Sequence, residues 1–161
     1  MKDEDGFSDF VRRRGDALTR TARLLIPDRG DAEDAVQTAL LRLTRHWPVS
    51  SPDAYVRQTL VNLARDRGRR RHLMPEPAPP REGWLASLPD HADAHASQAF
   101  LEDLLRRVPE RQRSAVVLRV IEGLTEADTA KAMSCSAGTV KSNLSRGLAR
   151  LRDLLPEGAT R

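Results

Sequence analysis

Apolar side chains recur every three or four residues through most of this chain, the spacing that places them on one face of an α-helix. The pattern covers about residues 7–72 and resumes at about residue 98. Residues 75–97 lack it and hold five of the ten prolines, which is typical of an extended linker. The sequence therefore predicts an all-α protein of two small helical domains, residues 1–74 and 98–161, joined by a flexible proline-rich linker.

The second half of the chain divides into four segments with one apolar face each. Pro109 separates the first two segments and Gly123 ends the second, because proline and glycine interrupt helices. Each segment is expected to form a helix that is buried on one side. The side chains predicted to face inward are, segment by segment, Phe100, Leu101, Leu104, Leu105 and Val108; Val116, Val117, Val120 and Ile121; Leu124, Ala127, Ala130 and Met133; and Val140, Leu144, Leu148, Leu151 and Leu155.

The last two segments form a helix-turn-helix pattern. Thr125 and Ser136 are placed to cap the two helices, and residues 134–136 supply the turn. The second helix, at about residues 137–155, carries four basic side chains and no acid across 138–152. Such a helix either reads DNA from the major groove or simply exposes a solvated basic face. The turn and the charge bias occur together, which favours DNA binding.

An acidic segment at residues 28–34 leads into a predicted helix in the N-terminal domain. Asp31 is expected to cap this helix, and acids in the first turn are favourable to the helix dipole. Capping explains some of these acids, whereas the others, together with Gln37, are equally consistent with a docking surface for a basic partner. The residues alone leave both interpretations open.

The loop at residues 47–53 precedes a third predicted helix. Ser51 or Asp53 is placed to cap that helix. Trp47 belongs either to the core or to a pocket, and the core is the stronger expectation.

The helix at residues 54–71 turns Val56, Leu60 and Leu63 inward and ends in a basic run. Residues 65–71 contain five arginines and one acid. Cations are favoured at a helix C-terminus, but five arginines exceed that need, so a nucleic-acid backbone is the better partner.

Composition excludes several classes of protein. No apolar run is long enough to cross a bilayer, and the acidic N-terminus is unlike a signal peptide, so the cytoplasm is the expected location and no membrane insertion is expected. Cys135 is the only cysteine, which rules out an intrachain disulfide and a cysteine-rich metal site. We expect no catalytic residue, metal ion or cofactor.

These motifs, in this order, resemble the sigma-70 family, specifically its extracytoplasmic-function (ECF) group and the actinobacterial sigma-E-like subfamily. Residues 31–37 resemble the family's polymerase-docking helix, and residues 55–66 with their arginine tail resemble the helix that recognises the −10 promoter element. Residues 108–142 resemble the domain that reads the −35 element. Three departures from the family pattern are Thr38 where Glu is frequent, Asp128-Thr129 where Glu-Ile is usual, and Ser134 where Gly is common.

The resemblance implies a promoter-specificity subunit that binds the clamp helices and flap of core RNA polymerase, recognises both promoter elements and helps melt DNA. An anti-sigma factor is a further partner that the family implies. The residues at matching positions fall into three groups: for docking, Asp31, Asp34, Gln37 and Arg42; for the −10 element, Trp47, Asn62, Arg65, Asp66, Arg69 and Arg70; and for the −35 element, Thr139, Lys141, Ser142, Ser145 and Arg146.

Two other functions fit the residues less well. An autonomous helix-turn-helix regulator would need a dimer interface or a sensor domain, and the sequence indicates neither. A nuclease with Asp28, Asp31, Glu33 and Asp34 around a metal ion is disfavoured, because capping or docking accounts for these acids.

Overall fold

The computed structural model describes residues 3–71 and 94–155, and every regular element within these ranges is helical. The predicted all-α class is thereby confirmed. The helix that begins at Glu110 continues beyond Val116 as a π-helical segment, Val117–Ile121. The α-helices in chain order are α1 (Glu4–Leu25), α2 (Arg29–His46), α3 (Pro52–Arg71), α4 (Ala94–Leu105), α5 (Glu110–Val116), α6 (Glu126–Met133) and α7 (Ala137–Leu154).

Helices α1, α2 and α3 pack around the apolar side chains that the helical spacing turns inward. Leu25, Leu43 and Leu60 are completely buried at the centre of this group. The prediction that Asp31 caps α2 was wrong: Asp28 is the N-cap, and its Oδ1 accepts a hydrogen bond from the Asp31 amide at 2.8 Å. The helix therefore starts three residues earlier than expected, because Arg29 and Gly30 already adopt the helical conformation.

Helix α3 begins at Pro52, directly after Ser51. Proline suits the first helical position, because its fixed φ is already helical and the amide hydrogen it lacks would have no partner there. Asp53 lies in the first turn, where its Oδ1 accepts a hydrogen bond from Arg14 Nε of α1 at 2.7 Å. This ion pair ties the start of α3 to α1.

The helix-turn-helix is confirmed in α6 and α7. Thr125 accepts a hydrogen bond from the Asp128 amide at 3.0 Å, and Ser136 accepts one from the Thr139 amide at 3.1 Å. Ser134, where the family commonly has glycine, adopts a left-handed conformation with a φ of 53°. A serine at this C-cap bears the steric cost that glycine would avoid.

The apolar faces of the C-terminal helices differ from the periodic prediction at several positions. Ala127, Val120 and Ile121 are exposed, although the spacing turned them inward, and Leu148 is 37% exposed. Thr129 takes the buried position in α6 instead, because its hydroxyl donates to the Thr125 carbonyl at 2.8 Å and so needs no other partner. With threonine buried at 129 and Asp128 exposed, α6 packs less apolar surface than the Glu-Ile pair usual in the family would provide.

The two halves of the described chain share one apolar core. Buried residues of α1–α3 and of α5–α7 belong to a single contiguous cluster. Helix α4 begins at Ala94, within the stretch predicted as linker. Residues 72–93, which hold the rest of that stretch, lie outside the described residues.

Candidate nucleic-acid interface

Helix α7 presents one exposed polar face. Lys141, Ser142, Ser145 and Arg146 are all exposed, whereas Val140 on the opposite side is completely buried. These four residues were predicted to contact DNA, and the fold brings them together on one side of a single helix. An exposed helical face with two cations and two hydroxyls offers both phosphate contacts and hydrogen bonds to base edges.

The start of this face is held in place by local hydrogen bonds. The Thr139 hydroxyl lies 2.9 Å from Ser136 Oγ, and the Asn143 side chain donates to the Thr139 carbonyl at 3.0 Å. Thr139 is therefore half-buried and partly committed to the cap, unlike the four exposed residues. Lys141 Nζ lies 3.7 Å from the Glu126 carboxylate; because the lysine side chain is 72% exposed, water screens this pair and breaking it costs little.

Close packing beneath the face fixes the direction of α7. Gly147 is buried where α7 crosses α5, and a Cβ at this position would lie 2.8 Å from Val116 Cγ2 and 3.0 Å from the Gln112 carbonyl oxygen. Only a residue without a side chain allows the two helices to approach this closely. Gly147 was not predicted from the sequence, because a glycine inside an apolar stripe shows no periodic signal of its own.

The predicted −10 residues of α3 are divided by the fold. Asp66, Arg69 and Arg70 are exposed. Arg65 is half-buried, and its Nη2 donates a hydrogen bond to the Met133 carbonyl at the end of α6. Asn62 is also half-buried. Three of the predicted contacts thus face solvent, while Arg65 contacts the other half of the chain.

Trp47 is partly buried and packs against the edge of the apolar core. Its ring centroid lies 5.5 Å from that of Phe7 in an edge-on arrangement and 6.1 Å from that of Phe10. The side chain is half-buried and lines a shallow surface cavity with the first turn of α1. The ring contacts agree with the expectation of a core residue, and the cavity agrees with the alternative that Trp47 belongs to a pocket.

Most acidic side chains at the start of α2 make hydrogen bonds or ion pairs with other residues of the same chain. Asp28 caps the helix, Asp31 lies 3.8 Å from Arg67 Nε, and Glu33 lies 3.2 Å from Arg23 Nη2. Among the described residues, no group of three or more histidine, cysteine or acidic side chains is arranged to hold a metal ion. The cap and the two ion pairs account for three of the four acids, Asp28, Asp31 and Glu33, within the molecule.

A second exposed face lies farther along α2. Asp34, Gln37 and Arg42 are exposed, and Leu41 beside them is 59% exposed. Leu41 was not predicted from the sequence, but a signal was present: the buried positions Val36, Ala39 and Leu43 leave Leu41 on the opposite side of the helix. An exposed leucine flanked by polar side chains offers apolar area that a protein partner can bury.

None of the described helices combines the length and the apolar content that a bilayer crossing requires.

Comparisons with known proteins match both halves of the chain. The family model described as Sigma-70 region 2 matches residues 10–73, and the one described as Sigma-70, region 4 matches residues 101–151. The chain is 44% identical over 153 residues to the RNA polymerase sigma-E factor of Streptomyces avermitilis, covering 92% of this chain and 84% of that protein. It is 34% identical to the ECF RNA polymerase sigma factor SigM of Mycobacterium tuberculosis, covering 95% and 79%.

A solved structure shares the arrangement of helices. The sigma factor RpoE of Bartonella quintana, solved in complex with the anti-sigma factor NepR, superposes with a TM-score of 0.68 at 26% identity, covering 97% of this chain and 99% of that one. The matches to regions 2 and 4 agree with the order of motifs along the chain. This protein therefore belongs to the sigma-70 family, as an ECF-type RNA polymerase sigma factor.

Proposed function

We propose that the three exposed surfaces divide the work of a sigma subunit among α2, α3 and α7. The face of α2 with Asp34, Gln37 and Arg42 docks on core polymerase, the arginine end of α3 holds the −10 element, and α7 reads the −35 element. The domain boundaries 1–74, 75–97 and 98–161 belong to the same proposal. The main support for this proposal is that α7, the second helix of the capped helix-turn-helix, exposes one polar face.

The proposed role of α7 rests on its geometry and charge. A recognition helix enters the major groove with a polar face outward, while its apolar face packs on the rest of the domain. Lys141 and Arg146 supply cations for phosphate or guanine, and Ser142 and Ser145 supply short hydrogen-bonding groups. Thr139, which is half-buried beside Ser136, lies at the helix end that approaches the bases.

The proposed role of α3 combines phosphate binding with capture of unpaired bases. Arg69 and Arg70 are exposed and suit backbone contacts, while Asn62, Arg65 and Asp66 offer hydrogen-bonding groups toward bases. A protein that binds single-stranded bases better than duplex stabilises the melted state, which opens DNA without a separate energy source. Trp47 contributes by supporting the loop before α3, through its packing on Phe7 and Phe10.

The proposed role of α2 is contact with the clamp helices of the polymerase. Asp31 pairs with Arg67 within the molecule, so it contributes mainly by fixing α2 against α3. Asp34, Gln37 and Leu41 are accessible to a partner, since all three are exposed on successive turns of one helix. Leu41 supplies apolar area, and Asp34 supplies charge for a basic partner.

The remaining partners and the location follow from this role. The protein works in the cytoplasm with core polymerase, including its clamp helices and flap, and with promoter DNA; the polymerase carries out the chemistry, and the sigma subunit is no enzyme. An anti-sigma factor is also proposed as a partner, because the similar Bartonella sigma factor was solved with one.

Run-off transcription with core polymerase and a library of promoters tests the proposal. We expect initiation only with both proteins present, and the selected promoters should share two separated elements. The lone protein should bind duplex promoter DNA weakly and the polymerase complex should bind it tightly. Tight sequence-specific binding by the lone protein, without any effect on polymerase, would instead support an autonomous regulator.

A further inference from the structure

A groove between the end of α3 and the start of α5 carries an excess of positive charge. We call it the arginine groove, and its lining residues are Arg65, Gly68 and Arg69 of α3 and Pro109, Glu110 and Arg111 at the start of α5. Its volume is about 310 Å³, and its three arginines and one glutamate give a net charge of +2. Pockets that hold small molecules have volumes of about 300–1,000 Å³, so the groove has room for a small anionic ligand.

The positive charge of the arginine groove is not neutralised by ion pairs. Elsewhere on α3, Arg67 pairs with Asp31 at 3.8 Å. Within residues 3–71 and 94–155, none of the three arginines of the groove pairs with an acidic side chain. The acid of the groove contacts a neutral group instead, since Glu110 Oε1 accepts a hydrogen bond from Ser114 Oγ at 3.4 Å. The groove therefore keeps its charge for a ligand.

Arg65 also keeps hydrogen-bond donors for a ligand. An arginine side chain has five N–H donors. Nη2 of Arg65 donates to the Met133 carbonyl, whereas its Nε is buried and has no hydrogen-bond partner in the described part of the chain. A buried donor without a partner costs free energy, and an anion that binds beside it recovers part of that cost.

The chemistry of the groove favours a compact ligand with several negative charges. Guanidinium groups bind phosphate and carboxylate through paired N–H···O hydrogen bonds. A single carboxylate brings one charge, whereas a chain of two or three phosphoryl groups brings several charges on neighbouring groups. Arg65 and Arg69 lie one turn apart on α3, and Arg111 lies on the opposite wall. A short phosphate chain therefore matches the arginines on both walls better than a carboxylate does.

We propose that the arginine groove binds a small polyphosphate, either inorganic or the phosphate chain of a nucleotide. The consequence for DNA rests on the proposed function of α3, which assigns Arg65 and Arg69 to the −10 element. A bound polyphosphate occupies these two arginines and so competes with the DNA strand. Arg111 has no part in the proposed −10 surface, so changing it separates the small ligand from DNA.

Isothermal titration calorimetry on the full chain, at constant ionic strength and without divalent cations, tests the site. Inorganic triphosphate should bind about tenfold more tightly than inorganic monophosphate, because it contacts more than one arginine. Arg111→Gln should weaken triphosphate binding about tenfold, since it removes one charge-assisted contact. Glu110→Gln should tighten it severalfold, since it removes the negative charge of the groove.

Arg12→Gln is the matched control, because it also removes one arginine but lies outside the groove, on α1, where the Arg12 side chain is 78% exposed. It should leave triphosphate binding unchanged. Arg111 is exposed too, so both variants are expected to fold, and circular dichroism checks this. Equal weakening by the two substitutions would show only a general attraction to a basic protein and would overturn the proposal, as would a parent protein that binds no triphosphate.

ATP distinguishes the two sources of the phosphate chain. Tighter binding of ATP than of inorganic triphosphate supports a nucleotide as the ligand, whereas equal binding supports recognition of the phosphate chain alone. In either case Arg111→Gln should weaken both ligands in the same proportion. Binding of ATP and triphosphate that does not respond to Arg111→Gln or Glu110→Gln would overturn the assignment to this groove.

Competition with DNA tests the consequence for the −10 strand. Fluorescence anisotropy with a labelled single-stranded oligodeoxynucleotide reports strand binding, and triphosphate should displace the strand from the parent protein. Displacement from Arg111→Gln should need about tenfold more triphosphate, while the affinity of this variant for the strand changes little. If Arg111→Gln loses strand binding as much as triphosphate binding, the groove belongs to DNA and the small-ligand proposal is wrong.

Failure of the site is distinguishable from failure of the proposed function. Run-off transcription by the parent protein with core polymerase, without added triphosphate, tests the function and does not depend on the ligand. An active parent that binds no triphosphate would remove only the site. An inactive parent whose triphosphate binding depends on Arg111 would remove the sigma role of α3 and leave the polyphosphate site standing.

Discussion

The crossing of α5 and α7 depends on one glycine, and Gly147→Ala measures how closely the two helices pack. The added Cβ would lie 2.8 Å from Val116 Cγ2 and 3.0 Å from the Gln112 carbonyl oxygen, whereas comfortable carbon contacts need about 3.5–4.0 Å. The Val116 methyl can shift, but the carbonyl belongs to the backbone of α5, so the helices must separate. Overpacking of this kind costs about 1–3 kcal/mol.

Alanine also has a better helix propensity than glycine, and this gain offsets part of the cost. The gain is about 1 kcal/mol in a helix interior. We therefore expect Gly147→Ala to lower the free energy of unfolding by about 1 kcal/mol, which is about 2–4 °C in Tm for a chain of this size. The matched control is Gly15→Ala in α1, where the nearest atom to a new Cβ is Val11 Cγ1 at 4.0 Å. That variant should be more stable than the parent by about 1 kcal/mol.

Urea unfolding followed by circular dichroism gives both values. Opposite signs for the two variants are the expected result. If Gly147→Ala stabilises the protein as much as Gly15→Ala does, the helices do not approach as described, and the packing beneath the exposed polar face of α7 is different.

Four further expectations concern the proposed surfaces and the turn. Asp34→Lys should weaken binding to core polymerase about tenfold in a pull-down titration. Binding of the whole protein to a −35 duplex should stay unchanged. Unaltered polymerase binding would contradict the docking role of α2. Leu41→Asp should have a similar effect, because it removes apolar area from the same face. Lys141→Ala or Arg146→Ala should lower run-off transcription that depends on the −35 element. Each substitution should also reduce the slope of log affinity against log salt concentration by about one unit for each phosphate that is no longer neutralised. Equal transcription across −35 variants would refute the placement of α7 in the major groove. Ser136→Ala should cost about 1 kcal/mol in urea unfolding, since it removes the cap of α7, and a variant as stable as the parent would show that the cap contributes nothing.

Features governed by neighbours a few residues away were predictable from the sequence. Thr125 and Ser136 cap their helices as expected, because a cap needs only its own hydroxyl and an amide three residues later. The basic residues at 141 and 146 were likewise expected on the polar side of α7, and both are exposed there. The cap of α2 was misplaced, since Asp28 and Asp31 satisfy the same local rule and the sequence did not separate them.

Features that depend on distant parts of the chain required the tertiary structure. The apolar periodicity predicted that Ala127, Val120 and Ile121 face inward. They are exposed, because the neighbouring helices do not extend over those positions. A spacing rule states which side chains share a face and not which face another helix covers.

Gly147 and Glu122 show the same limit most clearly. Neither carries a local signal, yet one allows α5 and α7 to touch and the other joins the C-terminal half to α1 and α3. The sequence by itself determined the helices, the helix-turn-helix and the sigma-like order of motifs, because these depend on short-range patterns. Only the tertiary structure decided that Arg65, one of the arginines predicted to contact DNA, is half-buried, because its contact with Met133 joins residues 68 positions apart in the chain.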